Sequence, residues 1–176
     1  MSLGKKIATT IGVFGVAMAA VATGTGSASA GVLPDGQFRL QRVLPAGHTP
    51  LCLGTEGGHE DDGTRVIQWP CNGNADQKWY TELDAYGGRR IVNAKSHTCL
   101  DVPNGDPGAG LIIYFCHSTY NQQWSPMYAD NGAVRINSGV QSMALDMPGD
   151  SEEWGYQVKL YGPKNVPNQM WLTPAA

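Results

Sequence analysis

Asn121-Gln122-Gln123-Trp124 decides the fold, because its Gln-x-Trp core returns at Gln77-Lys78-Trp79 and at Gln169-Met170-Trp171. The spacings are 45 and 47 residues. A fixed period of that length marks a repeat architecture and takes precedence over local readings. The rest of the unit repeats with it. Leu51-Cys52-Leu53, Thr98-Cys99-Leu100 and Met143-Ala144-Leu145 share one register. Six residues before each motif glutamine stand Cys71, Cys116 and Pro163, preceded at constant offsets by Val66, Leu111 and Val158 and by Gly63, Gly108 and Gly155. Three units, over approximately 35–82, 83–127 and 128–175, take up most of the chain.

The cysteines follow the same comparison. The third copy has lost both cysteine positions together, to Ala144 and Pro163, while the first two copies keep both. Joint loss is what a bond within each unit predicts, so Cys52 pairs with Cys71 and Cys99 with Cys116. Each bond closes a loop of about 20 residues, worth roughly 3 kcal/mol on loop-entropy grounds. Metal-binding thiols would need a clustered spacing that is absent. His48, His97 and His117 are scattered over the chain without ligand spacing, so no metal and no cofactor is expected.

The first 30 residues have the layout of a secretory signal. Lys5 and Lys6 form a positive start, Ile7 to Ala22 is mostly apolar and small, and Ala28-Ser29-Ala30 offers a small-x-small cleavage site. The apolar run, diluted by Thr and Gly, is short of the ~20 residues a membrane span needs, so membrane insertion is not expected. Cleavage after Ala30 leaves residues 31–176 as one exported, extracellular domain, in a compartment where two disulfides persist. Without Lys5 and Lys6, 10 basic side chains stand against 15 acidic ones. A phosphate backbone would not attract such a surface, which argues against nucleic acid as a partner.

Within each unit the apolar runs are short and bounded by turn residues. Val134-Arg135-Ile136-Asn137 alternates, Leu111 to Phe115 is a continuous run rich in branched and aromatic residues, and Pro107-Gly108 and Pro148-Gly149 mark turns. Amphipathic helices are not expected in residues 31–176. Three units of about four short strands around a pseudo-threefold axis imply a closed all-β domain.

Cys99-Leu100-Asp101-Val102, Tyr114-Phe115-Cys116-His117 and Asn121-Gln122-Gln123-Trp124 together resemble the ricin-type β-trefoil lectin family. That family includes plant toxin lectin chains and the family-13 carbohydrate-binding modules of bacterial glycosidases. The resemblance covers about 35 to 175 and implies a β-trefoil that binds carbohydrate, here as a stand-alone secreted bacterial protein. It also implies that the motif residues are chiefly structural. Trp79, Trp124 and Trp171 are then core residues, since three tryptophans related by the axis can fill an interior that no single unit could close.

The family's sugar contacts come from the residue after Cys-Leu, the residue two before the second cysteine, and the residue before the motif glutamine. These types suit a sugar. A carboxylate takes two hydroxyl protons, an amide both donates and accepts, and an aromatic ring offers a flat apolar platform with a polar edge. Carried over, the second unit supplies Asp101, Tyr114 and Asn121 with Gln122 alongside. The third supplies Asp146, Tyr161 and Asn168 with Gln169. The first departs, with Gly54 for the aspartate and Asp76 for the asparagine, and keeps only Trp69 as a platform. Asp101 and Asp146 also precede turns where Asp often caps its own backbone. Their joint retention with the aromatic and the amide in two copies favours binding. Two shallow sites and one silent one are expected, and restoring Gly54 to Asp together with Asp76 to Asn is expected to recover the third.

Each site alone should be weak, because little surplus remains after desolvation and ordering. Two sites on one rigid body can engage one polymer together, with avidity gains of ~10² or more. The expected partner is a polysaccharide or glycan with galactose- or xylose-like units, bound by a monomer. Nucleophile elbows, zinc-helix motifs, phosphate loops and calcium loops are absent from residues 31–176, so an enzyme is not expected. His59-Glu60-Asp61-Asp62-Gly63 reads as a solvated loop. The competing functions are a β-trefoil protein ligand or protease inhibitor that binds no sugar, and an accessory subunit of a secreted glycoside hydrolase.

Overall fold

The computed structural model describes residues 33–128 and 132–176. The expected signal segment, 1–30, lies outside these residues. Twelve short strands follow one another in three sets of four. The first set is β1 (Gln41–Arg42), β2 (Leu51–Thr55), β3 (Val66–Pro70) and β4 (Trp79–Leu83). The second is β5 (Arg89–Asn93), β6 (Cys99–Asp101), β7 (Ile112–Tyr114) and β8 (Trp124–Tyr128). The third is β9 (Val134–Ser138), β10 (Ala144–Asp146), β11 (Lys159–Tyr161) and β12 (Trp171–Leu172). Among the described residues, helical structure is confined to three-residue 3-10 turns.

The middle two strands of each set form an antiparallel hairpin, β2 with β3, β6 with β7 and β10 with β11. The register is the same in all three, setting Cys52 opposite Trp69, Cys99 opposite Tyr114 and Ala144 opposite Tyr161. The outer strands join one set to the next through β4 with β5 and β8 with β9. Pairing of β12 with β1 and a bridge from Phe38 to Ala175 bring the last strands back to the first. The result is a β-trefoil: a ring of outer strands with three hairpins packed across one end.

The pseudo-threefold axis is marked by a cycle of three backbone hydrogen bonds. Val66 N donates to Leu111 O at 2.9 Å, Leu111 N to Val158 O at 2.9 Å, and Val158 N to Val66 O at 3.1 Å. All three residues are fully buried, so each repeat satisfies polar backbone that its own hairpin leaves open. One unit therefore cannot close by itself.

The motif tryptophans form the centre of the core with Phe38, Leu53, Leu100, Leu145 and the residues at the axis. Each indole N–H donates to a buried carbonyl in its own repeat: Trp79 to Leu53 O at 3.0 Å, Trp124 to Leu100 O at 3.0 Å and Trp171 to Leu145 O at 3.2 Å. The motif glutamines act as clamps. Their Nε2 groups donate to Pro70 O, Phe115 O and Gly162 O, while their Oε1 atoms accept from the backbone N–H of Asn72, His117 and Lys164. In each case the clamp closes the segment leaving the hairpin onto the turn before the tryptophan strand. The disulfides form as the repeat comparison requires, Cys52 with Cys71 and Cys99 with Cys116. In the third repeat the fully buried Ala144 stands in the register of the first cysteine.

One tie between repeats had no signal in the sequence. Arg42 on β1 is buried, and it donates to Gln68 Oε1 at 2.8 Å, Ser151 O at 3.0 Å and Asp150 Oδ1 at 2.5 Å. Burial lowers the guanidinium pKa, and Asp150 opposes that shift. The bonds fasten the first repeat to the Pro148–Asp150 turn, which forms a wall of the third-repeat pocket.

Candidate functional site

Each hairpin ends beside a pocket, and the three pockets occupy equivalent places. In the second repeat, β6 terminates at Asp101, which is 3% exposed, with Ile112 opposite it across the hairpin. The 3-10 turn Tyr120–Gln122 brings two amides to it. Asn121 Nδ2 donates to Asp101 Oδ2 at 2.9 Å, and Gln122 Nε2 donates to the same oxygen at 2.7 Å. Both bonds fall on one oxygen, which leaves Oδ1 to the pocket. Burial raises the pKa of the Asp101 carboxyl above its usual 3.8, while the bonds from Gln122 and Asn121 and the nearby His117 work in the opposite direction. The pocket measures 530 Å³ and is lined by Asp101, Asn104, Tyr114, His117, Tyr120 and Asn121 among others. Tyr114 is exposed on its wall.

The third repeat builds the same arrangement without a disulfide. Asn168 Nδ2 and Gln169 Nε2 both donate to Asp146 Oδ2 at 2.9 Å. Asn168 also donates to Met147 O at 3.0 Å, which fixes its orientation. Burial raises the Asp146 pKa, and Gln169, Arg42 and Lys164 oppose it. Tyr161 is exposed in the position of Tyr114, and the pocket measures 430 Å³. Seven of the eight proposed contact residues, Asp101, Tyr114, Asn121, Asp146, Tyr161, Asn168 and Gln169, therefore line two pockets, and Gln122 does not. Gln122 and Gln169 are fully buried, so they position the aspartates from beneath.

The first repeat retains a pocket of 470 Å³ with Trp69 on its wall, and Trp154 extends the aromatic surface at a ring distance of 5.6 Å. Its polar arrangement differs. Gly54 faces a closed space: a Cβ there would stand 2.8 Å from Gln77 Cγ and 3.1 Å from Asp76 Oδ2. Asp76 has moved into the room that the aspartate side chain fills in the other repeats. Restoring a site through Gly54→Asp with Asp76→Asn therefore also requires the buried Gln77 to shift, because even the first added carbon meets its Cγ.

Two further features of the second and third pockets are geometric. His117 Nε2 lies 3.5 Å from Asp101 Oδ2, and its Nδ1 lies 2.6 Å from Thr119 Oγ1, which in turn donates to Asn121 Oδ1. Thr119 and His117 thereby hold the Asn121 amide with its N–H₂ towards Asp101. Lys164 takes the equivalent place in the third repeat, with Nζ 5.0 Å from the centre of the Tyr161 ring. Counting one residue beyond Cys116 and Pro163 would have found both.

A buried carboxylate with a free oxygen, an oriented amide and an exposed ring can together take hydroxyl hydrogen bonds and stack against a C–H face. Such a pocket on a trefoil defines a lectin-type domain. The profile of the family "Ricin-type beta-trefoil lectin domain" matches residues 42–171, and the chain belongs to that family. The designed threefold-symmetric protein ThreeFoil is 28% identical with a TM-score of 0.70, the match covering 81% of this chain and 100% of that one. The Clostridium thermocellum exo-β-1,3-galactanase is 28% identical with a TM-score of 0.71, over 82% of this chain but 31% of the galactanase. The Macrolepiota procera ricin B-like lectin, solved in complex with lactose, has the same fold at 18% identity and a TM-score of 0.66, over 82% of this chain and 99% of that lectin. No curated protein matches the chain.

Proposed function

We propose that this protein is a secreted, monomeric and non-catalytic lectin that binds polysaccharide through the pockets of its second and third repeats. The carrying observation is the duplicated carboxylate–amide pair, Asp101 with Asn121 and Asp146 with Asn168, each beside an exposed tyrosine. Galactose- or xylose-like units are the ligand class. The likeness to a module-sized part of a β-1,3-galactanase supports the galactose side of that choice. The same likeness supports a second reading, in which the protein assists a secreted glycoside hydrolase by holding it to its polymer.

Pull-down on insoluble xylan, galactan, cellulose and chitin, followed by titration with the oligosaccharide of whichever polymer retains the protein, tests the reading. Retention should disappear in Asp101→Ala with Asp146→Ala. Binding that survives the double substitution, or failure to bind any carbohydrate, refutes it.

A further inference from the structure

The three pockets differ systematically in charge at two positions that flank the platform. The first position lies across the hairpin from the site aspartate, or from Gly54 in the first repeat. It is Ile67, Ile112 and Lys159 in chain order. The second lies one residue beyond Cys71, Cys116 and Pro163, and is Asn72, His117 and Lys164. All six residues line their respective pockets. The third pocket therefore replaces an apolar side chain and a neutral or titratable one by two ammonium groups. Among the described residues, neither lysine has a carboxylate within ion-pair distance, whereas Lys95 near the first pocket is paired to Glu60 at 3.3 Å.

We infer that the third-repeat pocket selects a saccharide bearing an anionic substituent, a carboxylate or a sulfate ester, while the second takes a neutral one. This rests on the proposed carbohydrate binding. Asp146 provides one negative charge in the pocket, already shared between Asn168 and Gln169, against the two lysines. A neutral ring would strip water from the two ammonium groups without replacing it, whereas an anion supplies charge-assisted hydrogen bonds to both. Lys159 and Tyr161 project to the same side of β11, and Lys164 lies over the Tyr161 ring, so a sugar on that ring presents its substituents between the two cations. Binding an anion also draws Lys164 off the platform that the sugar needs. Such attraction is screened by salt.

Calorimetric titration of Asp101→Asn, which reads the third pocket with the second disabled, tests this on the full chain. Neutral galactan oligosaccharides are compared with oligogalacturonate and with sulfated galactan oligosaccharides, the last two separating carboxylate from sulfate as the source of charge. At least one anionic ligand should bind roughly tenfold tighter than the neutral one, with the gap narrowing as salt is raised. Lys159→Ile with Lys164→Asn, the residues of the first repeat, should remove the preference. In that lysine variant with Asp101 intact, the second pocket should still bind neutral ligand. Equal affinity for neutral and anionic ligands, or a preference that survives loss of both lysines, overturns the inference and leaves the proposed function standing. Absence of all saccharide binding, to the native protein as well, overturns both.

Discussion

The first and third repeats fail to match the second in opposite ways. The first keeps the disulfide, Cys52 to Cys71, but has Gly54 in place of the site aspartate. The third has no disulfide, yet it holds Asp146, Asn168 and Gln169 in the same geometry as Asp101, Asn121 and Gln122. The staple and the site are therefore separable. What all three repeats share is the tryptophan in the core and the glutamine clamp. In the third repeat, Gln169 joins Gly162 O and Lys164 N, doing alone what glutamine and disulfide do together elsewhere.

Trp171→Ala gives the largest expected effect. It empties the core beneath the repeat that lacks a covalent staple, and should cost about 3 to 5 kcal/mol in denaturant unfolding, with loss of binding at both pockets because the domain unfolds as one. Cys99→Ala with Cys116→Ala should cost roughly 3 kcal/mol in the same experiment. The third repeat shows that the site geometry does not need the bond, so ligand should still bind to the folded fraction. The clamp gives a smaller and more discriminating effect. Gln169→Ala leaves the N–H of Lys164 and one oxygen of Asp146 short of partners and should cost about 1 to 3 kcal/mol. Gln122→Ala should cost less, since the Cys99–Cys116 bond still holds that segment. Equal costs would show that the clamp does not substitute for the staple.

The smallest effect concerns pH. Burial raises the pKa of Asp101 and Asp146, so over the window from 3.8 up to their folded values the folded state holds more protons than the unfolded one. Their contribution to stability therefore falls as pH rises through that window and recovers on acidification. Ligand binding has the opposite sign, because it uses the ionised form. Binding should fade on acidification at a pH above 3.8, before the fold is lost, and circular dichroism recorded beside a binding titration reads both.

Much of this organisation was legible because the chain carries three copies of itself. Comparing Cys71, Cys116 and Pro163 gave the disulfides, and comparing Asp101, Asp146 and Gly54 separated two pockets from one. Contacts between repeats were not legible. Arg42 reaches Asp150 across 108 residues, and no periodicity marks a pair that occurs once. The crowding at Gly54 was hidden for a related reason. Offsets along a sequence identify equivalent positions, but whether a position has room depends on side chains such as Gln77, whose placement only the folded core fixes.

The central claim is that two pockets bind and that Asp101 and Asp146 are the residues that make them bind. Titration stoichiometry tests it most directly, using a short oligosaccharide that cannot span both pockets. The native protein should take up two ligands, Asp101→Asn and Asp146→Asn one each, and the double variant none, with all four equally folded. A double variant that still binds, or a native protein whose stoichiometry is unchanged by either substitution, would contradict the account.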